Sequence, residues 1–331
     1  VSALVSCVNL VKEFPGPAAV LRRAAAVPAV QDVSLAVSRG ETLALVGESG
    51  SGKTTLGRCL LRLLEPTAGR VTFDGADVLA LSPRELRRWR RRAQFVFQDP
   101  AAALNPRMTI GRAIREPLLA HGLAPGSDVA DRVAAALTEV GLDPSHARRF
   151  PHELSGGQQQ RAVIARALIL EPEFVVLDEP VASLDVSVAA QVLNLLADLQ
   201  EQRRLTYLLI AHDLRVVRHF ADRVAVMYAG RLVEVAPTDP LYADPRHPYT
   251  AALLSAVPVL DAGVRRERVP LPGDPPSAPV SLPGCPFAPR CRHPRKNDRC
   301  VQERPLLREV SPARLAACHH ADHPGPDAAT P

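Results

Sequence analysis

Aromatic side chains are scarce. Phe, Trp and Tyr together make up 4% of the 331 residues, so aliphatic groups must fill any core. Lysine is scarcer still among 40 basic residues: Lys12, Lys53 and Lys296 are the whole set. Arginine has taken almost every other basic position, and Lys53 stands out for having been kept. No apolar run approaches the ~18 residues that a bilayer span needs. No basic–apolar–small-residue leader opens the sequence. The expectation is a soluble, cytosolic chain that meets a membrane only through partners. The charge excess is small, +5 from 40 basic and 35 acidic residues, and does not by itself imply nucleic-acid binding. Heptads and internal repeats are also missing.

Six cysteines in a reducing compartment are not expected to form structural disulfides. Cys7 and Cys59 stand alone and read as packed residues. Cys285, Cys291, Cys300 and Cys318 cluster near the C-terminus, separated by five, eight and seventeen residues. Four thiolates can hold an Fe–S cluster or a tetrahedral zinc ion. The missing C-x₂-C knuckle weakens the zinc-finger reading, and free thiols stay open. His319 and His320 could substitute as ligands, though they read as surface histidines.

What is present alternates between strand-like and helix-like stretches up to about residue 256, an α/β pattern. Thr42–Val46, Phe174–Leu177 and Tyr207–Ala211 are continuous apolar runs, as buried parallel strands should be. Leu56, Leu60, Leu63 and Leu64 mark one face of a helix expected over 53–64. A second amphipathic helix is expected through Val188, Val192, Leu195, Leu196 and Leu199, capped by Ser187. Between about 99 and 168 the pattern is helical, with helices over 109–120, 129–140 and 158–170. A proline-rich linker spans 258–283, a cysteine-containing unit follows at 284–320, and 321–331 is expected to be disordered. The arginines from Arg84 to Arg92 read as a solvated helix face.

Two motifs carry the chemistry. Gly47-Glu48-Ser49-Gly50-Ser51-Gly52-Lys53-Thr54 fits G-x-x-x-x-G-K-[ST] between a strand and a helix. Its glycines turn backbone N–H groups toward phosphate oxygens, and the helix start adds its dipole. Lys53 suits the β- and γ-phosphates, and Thr54 suits Mg²⁺. The second motif is a buried strand ending in Asp178 and Glu179. The first carboxylate suits the Mg²⁺ shell and the second a general base. Together they indicate an NTPase.

Leu154-Ser155-Gly156-Gly157-Gln158 at a helix start narrows the reading, and here the sequence resembles the ABC ATPase family. Gln98 matches the Q-loop, Asp185 in Ser183-Leu184-Asp185 the D-loop, and His212 the switch histidine. Phe14 falls where the family stacks an aromatic on adenine, with core packing as the alternative. The resemblance implies a P-loop NTPase with a RecA-like α/β core, an antiparallel β part near the N-terminus and an inserted helical subdomain, all within 1–257. It implies ATP and Mg²⁺ as cofactors. Gly47, Ser49, Gly50, Ser51, Gly52, Lys53, Thr54 and Thr55 would hold the nucleotide, and Thr54, Gln98 and Asp178 the Mg²⁺. Ser155, Gly156, Gly157 and Gln158 would cover ATP held by the opposite subunit of a head-to-tail dimer, hetero- or homodimeric. Glu179, His212, Gln98 and Asp185 would serve hydrolysis.

The C-terminal stretches Leu271-Pro272-Gly273-Asp274-Pro275-Pro276-Ser277 and Gly284-Cys285-Pro286-Phe287-Ala288-Pro289-Arg290-Cys291 resemble the oligopeptide/dipeptide importer ATPases. Leu254–Val259 is nearer the F-type than the D-type of these. This resemblance implies two permease subunits, an extracellular solute-binding protein and a peripheral position on the cytoplasmic face of the plasma (inner) membrane. It also implies a [4Fe–4S] cluster on the four cysteines, as in some members. Related systems carry nickel, haem, glutathione or sugars. An exporter, or a soluble ABC protein acting on nucleic acid, is the more distant alternative.

Overall fold

A computed structural model describes residues 3–16, 26–123, 128–256 and 282–322. Two compact units interleave along the chain. One comprises Val1–Leu4, Val37–Glu41 and Thr72–Leu209, and the other Val5–Ala36, Thr42–Val71 and Ile210–Pro331. No described helix is long and apolar enough to cross a membrane.

In the first unit, strands Ala93–Val96 and Phe174–Asp178 run parallel, in register from Ala93↔Phe174 to Val96↔Leu177. Every residue of Phe174–Asp178 is buried, as a continuous apolar strand requires. The stretch 99–168 contains no strand among its described residues. It is built from helices Pro100–Ala103, Ile110–Ala120, Val129–Glu139 and Gly156–Leu168. Ile110, Ile114, Leu118, Leu137 and Val163 are all buried, so this helical part has an aliphatic core of its own.

The first half of the arginine run is a solvated face, while Arg90, Arg91 and Arg92 are half-buried. Helix Pro83–Trp89 is opened by a Ser82–Glu85 capping box and buries only Trp89, which meets Phe73 edge to face at 5.6 Å. Arg84, Arg87 and Arg88 are exposed. Arg92 pairs with Glu173 and Asp74, which also bind Arg39, and this network holds both carboxyls below their usual range.

In the second unit, Thr42–Val46 lies parallel to Arg223–Tyr228, which pairs antiparallel with Arg231–Pro237. Strands Val27–Ser38, Ala3–Phe14 and Ala68–Phe73 lie side by side in a separate sheet. Two short strands had no sequence signature. Arg314–Ala316 pairs antiparallel with Arg231–Pro237, and Arg308–Ser311 pairs with Arg314–Ala316. The cysteine-containing segment therefore extends the sheet that contains the phosphate-loop strand. Cys7 and Cys59 are fully buried, and burial pushes their thiols up to about 12 and about 11.

Three helices differ from expectation by two residues or more at an end. The helix expected over 53–64 spans Lys53–Leu60: Arg62 adopts φ +48°, which breaks the helix, and Leu63 is 42% exposed. The helix expected after a Ser187 cap is Val186–Arg203, with Asp185 at the N-cap. Ser187 lies inside its first turn, and Val192, Leu196 and Leu199 form the buried face. The helix expected at 158–170 is Gly156–Leu168, because Ser155 and Gln158 cap each other one turn earlier. Nearly all of the expected linker and tail lies outside the described residues.

Candidate functional site

The phosphate loop follows strand Thr42–Val46 without interruption. Gly47, Gly50 and Gly52 have φ of +152°, +78° and +102°. At two of them the space is closed as well. A Cβ on Gly47 would lie 2.1 Å from the Met227 carbonyl oxygen, and one on Gly52 would lie 2.2 Å from that of Ala29. Glycine is thus required both for the turn and for close approach to neighbouring backbone. Lys53 is 6% exposed. Its Nζ donates to the carbonyl oxygens of Gly47 at 2.8 Å and Glu48 at 2.9 Å, and to Ser51 Oγ at 3.4 Å. The ammonium is therefore held against the loop that precedes its helix. Ser49 and Gly50 are exposed, while Thr54 and Thr55 are half-buried in the first helical turn.

In the other unit, Asp178 is 2% exposed at the end of its strand, and Glu179 follows it with φ +47°. A non-glycine residue in that conformation is strained, and such strain concentrates at functional sites. Gln98 Nε2 donates to Glu179 Oε2 at 2.8 Å, so two residues singled out separately in the sequence meet. The signature segment opens helix Gly156–Leu168 as a capping box. Gln158 N donates to Ser155 Oγ and Ser155 N to Gln158 Oε1. A Cβ on Gly157 would come within 2.4 Å of Val188 Cγ1, so this helix start lies close against the one capped by Asp185. His212 is exposed directly after strand Thr206–Ala211. Phe14 is 37% exposed at the end of its strand, with the Lys12 ammonium 5.2 Å from its ring centroid, so it is not a packed core residue.

The four C-terminal cysteines line one cavity together with His247, His293, His319 and His320. Cys291 Sγ accepts the His293 backbone N–H at 3.5 Å and Cys318 Sγ that of His320 at 3.4 Å. Burial, reinforced by the neighbouring thiols, pushes Cys285 up to about 11 and Cys318 up to about 12. His319 and His320 are not surface histidines: both are half-buried, His319 Nε2 lies 2.9 Å from the Glu303 carbonyl oxygen, and His320 stacks on His293 at 5.3 Å. His247 is fully buried, and burial drives its pKa down to about 3 with a small contribution from His293. Its neutral Nδ1 accepts the Tyr249 N–H and caps helix Pro248–Ser255. Among the described residues no three His, Cys, Asp or Glu converge as a single-ion site.

Sequence reasoning missed one group of contacts to the phosphate loop. The Glu48 N–H donates to the Tyr249 hydroxyl at 2.8 Å. Arg290 binds the Glu48 carboxylate through both terminal nitrogens. No local pattern marks these pairs; the only hint was that Arg290 lies between two of the clustered cysteines.

Comparison with known proteins agrees with this geometry. Residues 30–182 match the ABC transporter family, and residues 233–300 match the oligopeptide/dipeptide transporter C-terminal region. The chain is 48% identical over 301 residues to the oligopeptide transport ATP-binding protein AppF of Bacillus subtilis, covering 90% of this chain and 91% of that one. It is 53% identical over 296 residues to a Brucella ovis protein named for peptide import, covering 89% and 93%. The fold matches an ATP-binding cassette solved as a dimer with ADP and phosphate, with a TM-score of 0.63 and 30% identity over 71% of this chain and 98% of that one. The phosphate loop, the Asp178–Glu179 strand end, the signature helix and the C-terminal region all lie in one chain, and that chain belongs to the ATP-binding subunits of ABC transporters of the oligopeptide/dipeptide type.

Proposed function

We propose that the chain binds and hydrolyses ATP to energise an importer of di- or oligopeptides. The observation that carries this is the likeness to peptide-transport ATP-binding proteins along nearly the whole chain, C-terminal region included. In this reading Gly47, Ser49, Gly50, Ser51, Gly52, Lys53, Thr54 and Thr55 cradle the phosphates, and Phe14 stacks on adenine. Thr54, Gln98 and Asp178 offer the hard oxygen donors that Mg²⁺ prefers, and the ion supplies charge neutralisation on the phosphates. Glu179 takes the proton of the attacking water, oriented by Gln98. His212 and Asp185 complete the hydrolytic set. Ser155, Gly156, Gly157 and Gln158 close over the nucleotide of a second ATPase subunit. The partners are that subunit, two permeases and, through them, a solute-binding protein, with the chain peripheral on the cytoplasmic face of the membrane. Cells lacking the chain should lose uptake of a labelled tripeptide and regain it with the wild-type chain but not with Glu179→Gln. Unchanged tripeptide uptake in the deletion strain, with loss of nickel, haem, glutathione or sugar uptake, contradicts the peptide reading.

The cysteine cavity supports a finer reading. A single zinc ion needs four donors about 2.3 Å from one point, and the thiols here surround a cavity without such convergence. A [4Fe–4S] cluster is held by four thiolates, the number of cysteines lining this cavity, and backbone N–H donation to Cys291 and Cys318 suits sulfur carrying negative charge. Cys285, Cys291, Cys300 and Cys318 would be its ligands. Anaerobically purified protein should be brown and contain about four iron and four sulfide per chain. A colourless, iron-free preparation overturns this reading.

A further inference from the structure

The phosphate loop does not take its shape from local residues alone. Arg290, in the short turn Ala288–Arg290 between Cys285 and Cys291, reaches Glu48, the second residue of the loop. Nη1 lies 2.7 Å from Oε2 and Nη2 lies 3.0 Å from Oε1, a two-pronged ion pair whose side chains are 9% and 20% exposed. Such paired, charge-assisted bonds fix orientation as well as charge. The guanidinium also lies 6.0 Å from the Tyr228 ring centroid. Tyr228, Tyr249 and Phe287 pack together with centroids 4.6 to 5.4 Å apart. Phe287 also lines the cysteine cavity, and the Tyr249 hydroxyl receives the Glu48 N–H. Glu48 in turn offers its carbonyl oxygen to Lys53 Nζ at 2.9 Å. A continuous set of contacts thus runs from the cysteine cavity to the lysine of the cradle.

The charges explain why this matters. A carboxylate one residue into a loop that must receive a polyanion opposes it unless a cation stands beside it. Arg290 supplies that cation, and its forked grip holds Glu48 turned toward the C-terminal region. We propose that Arg290 is a positioning residue for ATP binding, and that through it the cysteine-containing region sets the affinity of the phosphate loop. This inference rests on the ATP-binding role given to that loop above.

The test measures the ATP dissociation constant and thermal midpoint of the full chain in Mg²⁺. Arg290→Ala should weaken ATP binding about tenfold while the midpoint still shows a folded chain. Adding Glu48→Gln to Arg290→Ala should recover most of that loss, because the uncompensated carboxylate is gone. A merely structural role predicts no such rescue. If Arg290→Ala does not fold, Arg290→Lys carries the test: it keeps the charge, loses the fork and should weaken binding about threefold. Cys285→Ser should weaken ATP binding in the wild-type background and add nothing in Arg290→Ala. A wild-type chain that binds ATP, beside a folded Arg290 variant of equal affinity or one that Glu48→Gln does not rescue, overturns this inference alone. A wild-type chain that binds no ATP overturns the proposed function together with it.

Discussion

Replacing Glu179 by glutamine should lower ATP turnover by about 10²–10⁴-fold while leaving ATP binding intact, the range expected when a positioned general base is removed. Glutamine keeps the size of the side chain and one carbonyl oxygen, so the Gln98 Nε2 donor that now meets Glu179 Oε2 at 2.8 Å keeps an acceptor. What is lost is basicity, since an amide cannot take a proton from water at neutral pH. The substitution leaves the backbone untouched at a position already strained at φ +47°. Phosphate release and equilibrium ATP binding, measured on the same preparation, separate the two effects. Near-normal turnover removes Glu179 from its role.

Lys53→Ala should act on the other half of the reaction and weaken ATP binding by at least about 100-fold. The Lys53 ammonium is nearly buried, and it donates to the Gly47 and Glu48 carbonyl oxygens and to Ser51 Oγ of the loop. A phosphate entering the loop meets a cation already in place, at little ordering cost. Alanine removes that cation and leaves the two loop carbonyls without their lysine donor. Calorimetric titration with ATP and Mg²⁺ reads the loss directly. Affinity within a few fold of wild type means that the cradle does not hold the nucleotide through Lys53.

The places of these two residues were legible in the sequence because each motif is written over a few neighbouring positions. A glycine-rich loop after an apolar run, and carboxylates after another apolar run, require no knowledge of distant contacts. The buried parallel strands were legible for the same reason. Helix ends were less so. The apolar spacing through Leu63 and Leu64 suggested four more helical residues, yet the helix stops at Leu60 because Arg62 turns into a left-handed conformation that no spacing announces. Ser187 has the chemistry of a cap, but Asp185 begins the helix two residues earlier. The C-terminal segment was hardest to read. Strand Arg314–Ala316 has three residues, too few to show alternation, and it exists because Arg231–Pro237 offers an edge for it to pair with. Arg290 and Glu48 are 242 residues apart, so only the fold brings them together. The cysteine spacings suggested a shared site without fixing its geometry, which depends on how the segment folds around His247 and Phe287.

Co-purification tests the central claim most directly. The tagged Glu179→Gln chain, given ATP and Mg²⁺ and recovered from detergent-solubilised native membranes, should bring down a second ATPase and two polytopic permeases. Recovery of soluble partners alone, such as ribosomes or DNA, would leave the nucleotide chemistry standing and contradict the assignment to a membrane importer.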